Sequence, residues 1–374
     1  MNRFLSQKFR FYSFVCIALL TLVHGYNLKN GYLQAFSMVD EPLTFTTFIE
    51  FLLANGLLRF RMPLLFIISG YIFSMQDKKP YPVMIKKRFT TLMIPFFIWS
   101  AVGLAITYLL QQFPVTAQAV KDSLMDQLGD NRPYEEIGWI GHEKDKPGIL
   151  FRWLVAPTSF QLWFIRSLFI YNILYPVFKW GITKFPYIWL GLMFLIWITQ
   201  FNYYFVEGNG LLFFSLGIWL QKSNYPIDKK PEWFSSYLAW VCFIGFGVIK
   251  SFMAFELEYS LLSQQILLLL YGATVISGLL AVWFSLDDVV RWCMQRKWFV
   301  WLTAFSFVIY GMHVPLIEYI TMLLYRYMNH FPNYRLMVYV LAPVLVICIC
   351  VITGALLRQL LPKVYRLATG GRGF

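Results

Sequence analysis

Apolar residues run along this chain in long, nearly unbroken stretches, not in the one-faced pattern of a water-soluble helix. A helix needs about 20 apolar residues to cross roughly 30 Å of hydrocarbon. Ten stretches approach that length, at about 9–26, 59–76, 89–111, 161–178, 186–201, 208–221, 234–252, 261–284, 299–324 and 336–360. The sixth is short, and the second and fourth carry charge. Residues 42–58 are apolar enough for a half-buried helix leading into the second span. The pattern predicts an all-α fold: a polytopic transmembrane helix bundle of about ten helices, forming one integral membrane domain over 1–374. A polar loop at about 112–160 is the one segment large enough for an extramembrane element, turning apolar at ILFRWLVAP.

Composition agrees. Of 374 residues 59% are hydrophobic and only 14% charged, where a soluble domain carries roughly 25% charged residues. Aromatics reach 20%, as expected where amphipathic rings sit at bilayer interfaces. In a soluble protein the net charge of +13 would point to nucleic acid. Here the basic residues collect in loops, so the expected partner is the lipid bilayer and not nucleic acid. With the N terminus cytoplasmic, the inside segments hold 20 Lys and Arg and the outside loops eight. Five of those eight share the long 112–160 loop with seven acids, and long loops obey the positive-inside rule weakly. Both termini are therefore expected in the cytoplasm, with the protein in a bacterial cell membrane. The first apolar run follows Arg3, Lys8 and Arg10 like a signal peptide. It lacks a small-residue cleavage site and carries His24, so it reads as a retained span. The five cysteines show neither zinc spacing nor a disulfide framework, and no metal site is expected.

A charge at mid-bilayer costs roughly 3 kcal/mol or more, so each one inside a span needs a reason. His24 lies near the outer end of span one, and Arg59 and Arg61 at the outer start of span two. Arg166 lies in the outer third of span four. His313 lies near the middle of span nine, with Tyr310 one turn before it and Glu318 further out. If they face one interior they make an electropositive polar chamber suited to an anionic or carbonyl-bearing ligand. A histidine there can act as general base on a hydroxyl. Against this, a histidine at a helix end can be simply interfacial, and Arg59 and Arg61 can snorkel to the outer interface. Arg166 and His313 are deeper and resist that explanation. Ser69 can hydrogen-bond within its helix and Gly70 allows close helix contact. His142 and His330 read as solvated, and Glu256 and Glu258 as loop charges. No GxSxG, Walker, HExxH or Rossmann glycine pattern occurs, which removes support for hydrolase, ATPase, metalloprotease and nucleotide-domain readings.

Taken in order, ALLTLVHGY, RMPLLFIISGYIF, KKRFTTLMIPFFIW, LWFIRSLFIYNILYP and WLTAFSFVIYGMHVPLI make the chain resemble acyltransferase family 3, the integral membrane acyltransferases, over nearly its whole length. The resemblance implies transfer of an acyl group, commonly acetyl or succinyl, from an acyl-CoA co-substrate to a hydroxyl of a glycan or lipid-linked sugar. No permanently bound cofactor is implied. His24 matches the catalytic histidine, and Arg61 and Ser69 lie in the arginine…SGY segment, with Arg59 as the alternative arginine. Trp163 and Arg166 match the LWF segment, and Tyr310 and His313 the late tyrosine–histidine pair. The chain departs from the family where an arginine is usual eleven residues before the histidine, for Ser13 stands there. Arg10, one turn earlier, is the substitute this reading offers for donor binding. An esterase-like C-terminal domain, common in the family, is not expected. The rival reading is a transporter or flippase of a glycan or organic anion, which would liberate no coenzyme A thiol. A homo-oligomer stays open.

Overall fold

Apolar composition sets where helices form here, and prolines and glycines set where they stop or change pitch. The computed structural model describes residues 2–25, 34–114, 116–117, 153–154, 157–203 and 206–373. Most of the expected 112–160 loop, with His142, lies outside the described residues. In chain order the helices are α1 (Arg3–His24), α2 (Phe45–Phe51), α3 (Arg61–Ser74), α4 (Tyr81–Arg88), α5 (Ile94–Gln111), α6 (Trp163–Ile173), α7 (Tyr175–Lys184) and α8 (Pro186–Ile198). A short hairpin, β1 (Asn202–Tyr203) antiparallel to β2 (Val206–Glu207), then leads into α9 (Gly208–Lys222) and α10 (Ser236–Glu256). The series ends with α11 (Leu261–Ser285), α12 (Asp287–Gln295), α13 (Lys297–Thr303), α14 (Ser306–Met328), α15 (Tyr334–Leu360) and α16 (Pro362–Ala368).

Among the described residues six helical stretches are long and apolar enough to cross a membrane: Phe45–Ser74, Tyr81–Gln111, Ser236–Glu256, Leu261–Ser285, Ser306–Met328 and Tyr334–Leu360. The protein is thus a multi-pass, all-α membrane protein. The half-buried helix expected before span two is continuous with it. Elsewhere the elements are more divided than the apolar runs. The run 161–178 parts at Leu174, because Pro176 has no amide hydrogen and crowds the turn before it. The fifth and sixth runs become α8, of 13 residues, and α9, of 15 residues.

The chain gathers into two compact units, one from residues 1–88 and 167–303, the other from 89–166 and 304–374. In the first unit α3 and α9 cross backbone to backbone. A Cβ added to Gly70 would lie 2.2 Å from the Phe214 carbonyl oxygen, and one added to Gly217 would lie 2.2 Å from that of Ile67. Small residues allow such approach where apolar area alone gives helices no reason to associate in lipid. The charged start of α1 is anchored to the end of α11 and to α12. The buried Lys8 pairs with Asp287 at 2.5 Å and lies 4.4 Å from the Trp283 ring, while Tyr12 Oη donates to the Val282 carbonyl at 2.5 Å. Beyond α3, Asp77 accepts from Lys222 and from Lys179 (2.9 Å). Burial alone would raise the Asp77 carboxyl, but hydrogen bonds from Lys222, Lys179 and Tyr175 outweigh it and hold the group below the ordinary range.

In the second unit α14 packs along α15 and against α5, where Tyr319 Oη donates to Thr107 Oγ1 at 3.2 Å. Residues 362–373 are bonded into this unit. Trp99 Nε1 donates to the Ala368 carbonyl (2.8 Å), Tyr365 Oη to that of Ala304 (2.9 Å), and Arg372 to that of Thr91 (2.8 Å).

Candidate active site

In the first unit the site is built on a broken helix. Between α2 and α3 the backbone passes through a wide π turn at Leu52–Gly56 and a tight 3-10 turn at Leu57–Phe60. Such changes of pitch redirect carbonyls away from the α-helical ladder. Two of those carbonyls meet cations. Arg61 Nη1 donates to Leu58 O at 2.6 Å, and Lys250 Nζ, from α10, donates to Asn55 O at 3.0 Å while lying 4.9 Å from the Phe51 ring. Arg61 and Lys250 are buried, Arg59 half-buried. Arg59 is close enough to Lys250 for their charges to interact, and both arginines are within electrostatic reach of Tyr271. Tyr271 Oη in turn lies 3.4 Å from Asn209 Oδ1, which accepts from Trp197 Nε1 at 2.8 Å.

α1 reaches the same stretch. Val23 packs into one cluster with Ala54 and Leu58, so the end of α1 that carries the half-buried His24 lies beside the turn that carries Arg59. Arg61 is also within electrostatic reach of Cys16, two turns back along α1. The structure therefore brings the His24 end of α1, Arg59 and Arg61 to one end of the first unit. Ser69 is half-buried on α3, two turns beyond Arg61. Arg10 is exposed at the other end of α1, where its guanidinium donates to Thr303 Oγ1 (2.7 Å) and to the Val300 carbonyl (2.9 Å).

The second unit holds the other expected residues. Pro315 has no amide hydrogen, so the carbonyl of Gly311, four residues earlier, has no helical donor, and α14 turns non-helical at Val314 (φ −107°, ψ 132°). Gln161 answers this. Its amide nitrogen lies 3.1 Å from Gly311 O, 3.2 Å from Val314 O and 3.3 Å from Tyr310 O, while Ser159 Oγ donates to Val314 O at 3.1 Å. Tyr310 Oη returns a hydrogen bond to the Gln161 carbonyl at 2.5 Å. Trp99 fills the space beside Gly311, where an added Cβ would lie 2.3 Å from the indole.

This bracing fixes His313, which is fully buried. Its Nδ1 faces the carbonyls of Ile309 and Tyr310, each at 3.0 Å. Two acceptors at Nδ1 hold the proton there in the neutral ring and make Nε2 the basic nitrogen. Arg166 and Trp163 stand half-buried in the first turn of α6, directly after Gln161, and the adjoining Phe164 ring lies 6.2 Å from that of Tyr310. Lys250, Asn55 and Gln161 were not foreseen from sequence. Lys250 had the plainest signal, a lone lysine inside the apolar run of α10. Among the described residues no cluster of three or more His, Cys, Asp or Glu could hold a metal ion.

A multi-pass helical membrane protein with arginine, lysine and histidine buried at irregular helix turns is built for chemistry or passage at the bilayer. The family model of the acyltransferase domain, Acyl_transf_3, matches residues 14–355, and the chain belongs to that family. It is therefore an acyltransferase, which sets aside the transporter reading. It is similar to the succinoglycan biosynthesis protein ExoH of Rhizobium meliloti (strain 1021), with 24% identity over 379 residues that cover all of this chain and 94% of that protein. No solved structure matches.

Proposed function

We propose that this acyltransferase moves an acetyl or succinyl group from acyl-CoA to a hydroxyl of a cell-envelope glycan or lipid-linked sugar, with His24 as general base. The observation that carries the reading is the packing of the His24 end of α1 beside the Arg59–Arg61 turn. The name of the relative ExoH, which refers to succinoglycan biosynthesis, supports a polysaccharide acceptor. In this mechanism His24 takes the proton of the acceptor hydroxyl as its oxygen bonds to the thioester carbonyl carbon. Arg61 stabilises the negative charge that builds on the carbonyl oxygen. The C–S bond then breaks, the acyl group stays on the acceptor, and the proton on His24 passes to the departing coenzyme A sulfur. Arg166 and His313 are assigned as further catalytic residues, with Trp163, Tyr310, Ser69 and Arg59 in substrate binding and Arg10 on the donor side. The topology in this proposal has ten crossings with both termini cytoplasmic, so that the donor meets the Lys/Arg-rich face and the acceptor the opposite one.

The test is transfer of labelled acyl groups, with release of free coenzyme A thiol, by the purified protein. A general base contributes roughly 100- to 10,000-fold, so His24→Ala should lose at least about 100-fold in kcat. Arg61→Ala should lose on the order of 100- to 1,000-fold, as when one oxyanion donor is removed. Transfer by His24→Ala at the wild-type rate would remove His24 from the mechanism.

A further inference from the structure

Asn209, the second residue of α9, is held by two aromatic side chains on one and the same atom. Trp197 Nε1 donates to its Oδ1 at 2.8 Å, and Tyr271 Oη lies 3.4 Å from that oxygen. An indole N–H can only donate, so the amide oxygen, and not the nitrogen, must face Trp197. The lock therefore also fixes which way the amide nitrogen points. Among the described residues these two are the side-chain partners of Asn209, and both fall on oxygen, so the two Nδ2 hydrogens are left over. Trp197 and Tyr271 are buried, as are Gly208 and Gly210, while Asn209 between those glycines is half-buried and within reach of a ligand.

Contacts between α3 and α9 advance together along both helices, from Gly70 with Phe214 to Ser74 with Gln221 and Asp77 with Lys222, so the two run in the same direction. Asn209 thus stands at the end of the unit where α3 opens with Arg61 and α1 closes with His24. Tyr271 ties them together, being within electrostatic reach of both Arg59 and Arg61. We propose that Asn209 is a further catalytic residue, its Nδ2 donating to the thioester carbonyl oxygen beside Arg61. The proposal rests on the reading of acyl-CoA as donor and of the His24 end of α1 as the place of transfer. As the acceptor oxygen bonds to the carbonyl carbon, the C=O electron pair moves onto oxygen and the Asn209 hydrogen bond strengthens. When the C–S bond breaks the pair returns, and Asn209 neither gains nor loses a proton. A donor held by Trp197 and Tyr271 does not have to reorient as the charge appears, which is what such stabilisation requires. The amide is neutral, so it supplies a donor without placing another cation in the apolar slab.

The experiment measures kcat for transfer of the labelled acyl group and equilibrium binding of the same donor, with the purified full chain in detergent. The donor is acetyl-CoA or succinyl-CoA, whichever wild type turns over. Asn209→Asp keeps an oxygen for Trp197 and Tyr271 but exchanges the amide nitrogen for a second acceptor. It should lose on the order of 100- to 1,000-fold in kcat, with donor affinity within about threefold of wild type. A smaller loss in kcat overturns the proposal, for Asn209 would then only brace the two aromatic side chains. A loss of donor affinity as large as the loss in kcat also overturns it, since the contact would then be made equally in the ground state. Should Asn209→Asp fail to fold, Trp197→Phe keeps the amide and removes the N–H that orients it. Its kcat should fall about tenfold or more with binding kept, and an unchanged kcat overturns the proposal. His24→Ala, assayed alongside, separates the two levels: transfer at the wild-type rate overturns the place of transfer beneath the proposal. Turnover of neither donor by wild type overturns the donor reading itself.

Discussion

Pro315 offers Gly311 no amide hydrogen, and the amide of Gln161 supplies donors from another segment to the three carbonyls of that kink. Leaving buried acceptors unsatisfied costs about 1–3 kcal/mol each, so Gln161→Ala should lower thermal stability in detergent clearly, and Gln161→Glu at least as much because an ionised carboxylate cannot donate. Asp77 makes a pH prediction. Its folded pKa is depressed, so its contribution is fully present above the unfolded value of about 4 and is lost as pH falls through that value toward the lower folded one. Wild type should therefore melt at a higher temperature than Asp77→Asn near neutrality, and the gap should close below about pH 4. At this scale legibility was uneven. Segments between or at the ends of the apolar runs account for 28 of the 32 Lys and Arg, and Arg59, Arg61 and Arg166 for three more. The one left over is Lys250, the lone lysine within an apolar run. Gln161 had no such signal, since glutamine beside an apolar run is unremarkable until the kink it serves is known.

The helices themselves were legible where apolar runs were long and lacked breakers, as in α10, α11 and α15. They were illegible where backbone chemistry overrode hydropathy. Pro176 split one run, and the Asn55–Gly56 step turned a smooth apolar approach into two changes of pitch. Gly70, which the sequence marks for close helix contact, lies in the crossing of α3 with α9. A Cβ there would press on backbone, not on a side chain that can swing away. Gly70→Val should consequently force the two helices apart. The expected outcome is a fall in melting temperature, with a loss of activity larger than that of Ser69→Ala, one position away.

For the whole molecule, the membrane class and the family were legible because composition and five ordered motifs each spread over the full length. The interleaving of two units was not, since periodicity within a helix carries no information about which helices will gather. Cysteine-accessibility labelling in intact cells tests the proposed topology. Single cysteines at Lys86, Lys229 and Lys363 should react only after the membrane is permeabilised, and one at Tyr259 should react from outside. Labelling of Lys229 and Tyr259 from the same side would remove a crossing between them.

The pair formed by Lys8 and Asp287 also sets a timetable for biogenesis. The two residues are 279 positions apart, so at roughly 5–20 residues per second a ribosome needs on the order of 15–55 s to deliver the second after the first. For that interval the opening helix sits in or beside the lipid with its lysine still hydrated, neither docked nor free to leave. Burial of that lysine therefore waits for the late-arriving aspartate to emerge.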